Sequence, residues 1–182
     1  MTKVGVLVGS LRKESFSLKL AKNVMSLFPE GYEVELVDIS NLPFYNQDFD
    51  DENNVPSEVV AFRNKIAELD AFLFVTPEYN RSVPAVLKNA LDTASRPKTD
   101  NRWGKKPAAI ISQSPGGLGG FGANHHLRQS LACLNVPLLQ QPEAYIGNVA
   151  TLLGENGEIT NESTLEFLTK FVQRFIELIK KY

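Results

Sequence analysis

Lys3–Phe28 reads KVGVLVGSLRKESFSLKLAKNVMSLF, and its order of apolar run, polar loop and helical period decides the fold. Val4, Val6, Leu7 and Val8 form a short apolar run that stops at Gly9, as a strand does. Leu18, Ala21, Met25 and Phe28 then recur three or four residues apart, the spacing that lines one side of a helix. A strand, a loop and a helix in that order begin a β-α-β unit.

The same alternation continues along the chain. Glu33–Ile39 alternates imperfectly, as expected of a half-buried strand at a sheet edge, and Asn41–Pro56 is a polar loop bounded by prolines. Val59, Phe62, Ile66 and Leu69 restore the helical period before the apolar strand Ala71–Val75. Pro84 suits a helix start, and Val86, Leu87, Ala90, Leu91 and Ala94 line one face of that helix. Ala108–Ser112 is a fourth strand, followed by a glycine-rich loop to Gly122 and a helix to about Leu134. Val136–Leu139 is the candidate fifth strand. Leu165, Leu168, Val172, Phe175 and Ile179 mark a last helix, for which Ser163 with Glu166 makes a capping box. Five β-α repeats imply an α/β fold with a parallel sheet and helices on both faces, because a crossover between neighbouring parallel strands needs a helix.

The chain has 182 residues, which suits one domain, 1–182, around one core. With 43% hydrophobic and 22% charged residues it has a globular composition, and a formal net charge of -2 leaves no electrostatic footprint for nucleic acid or an anionic membrane. Cys133 is the one cysteine, which excludes an internal disulfide and a multi-cysteine zinc site, fits a reducing compartment and reads as a core thiol. Val4–Val8 is too short for a signal-peptide core or a membrane span, so the cytoplasm is the expected location.

In open parallel sheets ligands bind beyond the carboxyl ends of the strands, where the chain order reverses. That singles out Gly9–Ser17, Thr76–Val83 and Gln113–Gly122. In the first, Ser10, Ser15 and Ser17 supply hydroxyls and Arg12 a guanidinium beside a helix N-terminus, which is chemistry for a phosphate. An ordinary capped helix with solvated charges is the alternative. Glu14 and Ser15 stand where a Walker loop would need its second glycine and lysine.

The first loop resembles the G-S-x-R-x-x-S-x-N segment of the NADPH-dependent FMN reductase family, which includes quinone, chromate and azo-dye reductases. Pro77-Glu78-Tyr79-Asn80, with Ser82, Pro84, Leu87-Lys88-Asn89-Ala90 and Asp92, is similar to that family's P-E-Y-N-x-S-x-P-G-x-L-K-N-A-x-D signature. Ser112–Arg128 is similar to its third loop and the helix after it, so the likeness spans Lys3–Glu143.

The resemblance implies a flavodoxin-like sandwich with strand order 2-1-3-4-5 that holds FMN without a covalent bond. It implies cofactor contacts from Ser10, Arg12, Ser15, Phe16 and Ser17, from Pro77, Glu78, Tyr79 and Asn80, and from Ser112, Ser114, Pro115, Gly116 and Gly117. NADPH or NADH would reduce the flavin, which would pass its electrons to a quinone, azo dye, metal oxyanion or free flavin. No side chain need act as acid, base or nucleophile, and no metal is expected. Leu42–Asp48 resembles the family loop that meets a partner subunit, which implies a homodimer or a dimer of dimers. Three positions depart from the family pattern: Ser17 for asparagine, Ala85 for glycine and Gly122 for an arginine that lies near cofactor and subunit contacts.

Other readings are weaker. Gly117–Gly122 fits G-x-G-x-x-G only by its glycine content, and no second nucleotide-binding half can follow it. Ser114 lacks the first glycine of a nucleophile elbow, and His125 and His126 diverge on a helix. Asp48, Asp50, Asp51 and Glu52 lack a calcium-loop glycine and read as a solvated loop. A flavodoxin-type one-electron carrier is the alternative from another class, but such carriers use a strongly acidic surface for steering, and this chain has little net charge.

Overall fold

Thr2–Val8 (β1), Tyr32–Leu36 (β2), Ala71–Thr76 (β3), Ala108–Gln113 (β4) and Ala144–Ile146 (β5) pair in parallel in the computed structural model, which describes residues 1–182. Their order is β2-β1-β3-β4-β5, as the flavodoxin-like likeness implies. Every residue of β3 and β4 is buried, which is why these strands read as unbroken apolar runs. β2 is the exposed edge, with Leu36 only partly covered.

Six helices flank the sheet: Phe16–Met25 (α1), Asp48–Asp51 (α2), Ser57–Glu68 (α3), Ala85–Ala94 (α4), Phe121–Cys133 (α5) and Glu162–Ile179 (α6). The sheet divides the expected single core into two layers. Val4, Val6, Val8, Leu73, Val75, Ala109 and Ile111 face Leu20 and Val24 of α1 and Leu168, Phe171 and Phe175 of α6. Leu7, Phe72, Phe74 and Ile110 face α3, α4 and α5, where Trp103 is fully buried between Phe62, Phe72 and Phe74 and donates its Nε1–H to Leu91 O at 3.0 Å. The alternation of side chains along β1, β3 and β4 assigns each residue to its layer.

Several expectations are corrected. The fifth strand is Ala144–Ile146, whereas Val136–Leu139 contributes only an isolated bridge from Leu138 to Ala108. The chain touches the start of β4 there, loops away over Gln140–Glu143 and returns beside Ile111–Gln113. Helix α6 is capped by Asn161, whose side chain accepts from Thr164 N, so Ser163 lies inside the helix instead of capping it. Cys133 is exposed at the end of α5. The acidic run is a short helix, α2, and not a loop: Asp48, Asp51 and Glu52 are exposed as expected, but Asp50 pairs with Arg63 at 2.6 Å with both side chains about nine-tenths buried. No helix is long and apolar enough to cross a membrane.

Candidate functional site

Because β1, β3 and β4 are neighbours, the loops that follow them meet at one edge of the sheet. Gly9 N donates to Val75 O at 2.9 Å and ties the first loop to β3. Gln113 Nε2 donates to Ser17 Oγ at 2.8 Å and ties α1 to β4. Ala123 N donates to Glu78 Oε2 at 3.1 Å and ties the second loop to the third.

In the first loop Ser15 is the N-cap of α1 and accepts from Leu18 N at 3.1 Å. Phe16 and Ser17 open the helix, so their amides have no intrahelical acceptor, and the positive end of the helix dipole lies beside them. Ser10 is half-buried, and Arg12 is exposed, with a guanidinium that makes no hydrogen bond or ion pair within the protein. Phe16 packs against the core, and Ser17 is fully buried, its oxygen turned to Gln113. Lys19 pairs with Glu14 at 2.7 Å, and this bond holds the Glu14 carboxyl below the usual range.

The second loop is a tight turn. Tyr79 N donates to Ser82 O at 3.0 Å and Ser82 N to Tyr79 O at 2.9 Å, with Asn80 and Arg81 both at positive φ (49° and 68°) between them. Tyr79 is left half exposed above it, and Pro77 is half-buried below. The Glu78 carboxylate is not free: it caps the N-terminus of α5 and lies 3.4 Å from Arg81. A β-carbon on Gly122 would lie 2.9 Å from that carboxylate and 2.7 Å from Arg81 O, so glycine at 122 makes room for this cap. His126 Nδ1 lies 2.9 Å from Ser82 Oγ and braces the same turn.

In the third loop Ser112 is buried and accepts from Asn124 Nδ2 of α5 at 3.2 Å. Ser114 closes a turn on Gly116, with its Oγ accepting from Gly116 N at 3.1 Å. Pro115, Gly116 and Gly117 are exposed and stitched to the end of β5 by Ser114 N to Ile146 O at 3.0 Å and Asn148 N to Gly116 O at 3.1 Å. Gly119, at φ +58°, presses its Cα against the Tyr145 carbonyl, where a β-carbon would come within 2.5 Å. Beside it His125 Nε2 lies 2.9 Å from the Tyr145 hydroxyl, and burial, aided by the Glu143 carboxylate, pushes that hydroxyl up to about 12.

Gln113, Asn124 and Arg63 escape the sequence reading as contributors here, and Asn89 enters it only as part of the Leu87–Ala90 motif. A polar residue ending a strand that is otherwise wholly apolar was the available signal for Gln113. Asn89 receives Tyr45 N at 2.9 Å and donates to Pro43 O at 2.9 Å, so it grips the backbone on either side of Phe44. Arg63 donates to both oxygens of Asp50 at 2.6 and 2.9 Å and to Thr93 O at 2.9 Å, while the Tyr45 hydroxyl donates to Asp50 at 3.1 Å. Tyr45 is therefore turned inward, whereas Phe44 stands out, at 78% exposure.

Comparison with known proteins agrees with this geometry. The model of the NADPH-dependent FMN reductase family matches residues 2–151. A quinone reductase of Pseudomonas putida is 49% identical over 97% of this chain and 94% of its own length. A 2-hydroxy-1,4-benzoquinone reductase of a Burkholderia species is 44% identical over 98% and 96%. Among solved structures, the flavoenzyme NAD(P)H:(acceptor) oxidoreductase FerB of Paracoccus denitrificans superposes with a TM-score of 0.92 at 40% identity, covering 100% of this chain and 98% of its own. The strand order, the three loops at its carboxyl edge and these relatives place the chain in the NADPH-dependent FMN reductase family of oxidoreductase enzymes.

Proposed function

We propose that this chain binds FMN non-covalently at the carboxyl edge of β1, β3 and β4, and uses NADPH or NADH to reduce a quinone. The observation that carries the reading is the joining of three loops around a helix N-terminus whose first amides are free. These residues fit the group. The Phe16 and Ser17 amides and the Ser10 and Arg12 side chains suit a phosphate dianion. Pro77, Tyr79 and Asn80 on one side and Ser114–Gly117 on the other would form the two walls around the planar ring.

When bound, FMN supplies the redox chemistry, taking a hydride from the nicotinamide and giving it up to the acceptor. The chain's own part is orientation. Glu78 on the N-terminus of α5 and the paired Tyr79–Ser82 turn fix one wall, and the stitches from Ser114 and Gly116 to β5 fix the other. Neither wall carries a second domain or a long lid, so one face of the bound ring would be left for the nicotinamide and acceptor to share in turn. A quinone is the acceptor class that matches the named activities of the P. putida and Burkholderia relatives. The lone cysteine fits a cytoplasmic enzyme.

The assembly we propose is a homodimer or a dimer of dimers. A phenylalanine exposed to 78% and gripped on both sides by Asn89 is costly on a monomer and suits an anchor for a second copy. The function is tested by adding excess FMN to the purified protein, removing free flavin, and identifying the bound cofactor by its spectrum and chromatography. FMN retained in equal amount to protein is expected; no retained flavin and no thermal stabilisation by FMN would overturn the reading.

A further inference from the structure

Gln113 ends β4 on the face turned to α1, in line with Ala109 and Ile111 of the apolar layer there. Its side chain is 4% exposed and only half satisfied. Nε2 donates to Ser17 Oγ at 2.8 Å, but Oε1 is sealed from solvent and has no donor. Ser17 is 0% exposed, spends its oxygen on Gln113, and has no protein acceptor for its own hydroxyl hydrogen. Buried polar groups in folded proteins are almost always paired, and an exception calls for a ligand or a role. Here one unspent acceptor and one unspent donor stand together at the N-terminus of α1.

We infer that Gln113 is a positioning residue of the cofactor site, completed by a phosphorylated polyol. It holds Ser17 with the hydroxyl hydrogen directed to a phosphate oxygen, and its own Oε1 accepts from a hydroxyl of the sugar-alcohol chain of the same ligand; both groups are covered here, so the atoms over them shift as the ligand enters. An anion alone would satisfy Ser17 and leave Oε1 orphaned; a ligand with both groups satisfies both. The arrangement also accounts for serine at 17, where the motif that this loop resembles has asparagine. The carboxamide missing from α1 is supplied across the layer by β4. This inference rests on the FMN reading above.

The test compares FMN and riboflavin binding, by quenching of flavin fluorescence, in wild type, Gln113→Met, Gln113→Ala and the double variant Ser17→Asn with Gln113→Ala, together with the melting temperature of each apoprotein. Gln113→Met should weaken FMN by about tenfold or more, the range for losing a hydrogen bond that serves a charged group. Riboflavin, which has no phosphate, should lose less. The Gln113→Met apoprotein should melt no lower than wild type, since an unpartnered polar group gives way to an apolar one of similar length. Returning a carboxamide to α1 in the double variant should recover most of the FMN affinity that Gln113→Ala loses. FMN affinity unchanged in Gln113→Met, a loss that only tracks a fall in apoprotein melting temperature, or no recovery in the double variant would overturn the inference while leaving the cofactor assignment intact. Wild type that binds no FMN would bring down both.

Discussion

Replacing Arg63 with methionine leaves most of the side-chain volume and removes three hydrogen bonds, two to Asp50 and one to Thr93 O. Asp50 would then be a carboxylate with 11% side-chain exposure and only the Tyr45 hydroxyl to answer it. Orphaning a buried charge in this way costs about 3–5 kcal/mol. For a chain of this length each kcal/mol lowers the melting temperature by about 2–4 °C, so a fall of about 6–20 °C is expected at pH 7. Adding Asp50→Asn to Arg63→Met should recover part of the loss, because the stranded charge disappears with it. The pH dependence has a definite sign. The hydrogen bonds from Arg63 hold the Asp50 carboxyl below its usual range, so the pair's contribution is complete above about pH 4, the value of an unperturbed aspartate, and is lost as pH falls through the lower folded value. Melting curves followed by circular dichroism should show a full gap between wild type and Arg63→Met at pH 7 that narrows below about pH 4. A gap smaller than about 2 °C at pH 7, or one that is the same at about pH 3, would refute the reasoning.

Phe44→Ser should leave the melting temperature nearly unchanged if the residue is solvated, and should shift the mass by light scattering at micromolar concentration from dimer to monomer if it anchors a second copy; an unaltered mass would remove Phe44 from the interface. Gly122→Ala pits two effects of opposite sign. Helix propensity alone favours alanine by about 1 kcal/mol, whereas the approach of Arg81 O and Glu78 Oε2 to the new β-carbon should displace the α5 cap and destabilise by about 1–3 kcal/mol, so a raised melting temperature would count against the cap. Arg12→Ala should leave the apoprotein as stable as wild type, since the exposed guanidinium makes no hydrogen bond or ion pair, while weakening FMN by about ten- to a hundredfold; equal FMN affinity would take Arg12 out of the site.

The elements that position the site were legible because burial on both faces leaves an unmistakable run, as in Phe72–Val75 and Ala109–Ile111, and because sheet order then determines which loops meet. Ala144–Ile146 was missed for the opposite reason. A three-residue edge strand carries no period, and Val136–Leu139, which touches β4 at one bridge, offered the stronger apolar run. The acidic stretch around Asp50 looked solvated because its partner lies 13 residues further on, on the inward face of α3, and a single buried arginine leaves no mark in a helical period. Ser163 is two places late for the cap because Asn161 accepts from Thr164 N at the true start of the helix. In the candidate site the motifs show which loops meet, but not how their residues pair. Glu78 serves α5, and Gln113 answers Ser17; both pairings join segments far apart in the chain.

The proposed reaction passes a hydride from a nicotinamide through bound FMN to a quinone. Stopped-flow mixing of the FMN-loaded protein with NADPH, and separately with NADH, in the absence of oxygen tests it most directly, with a quinone added in a second mix. The account predicts that at least one nucleotide bleaches the flavin absorption within seconds and that the quinone restores it. Absorption that neither nucleotide changes, in protein whose flavin dithionite readily bleaches, would contradict it.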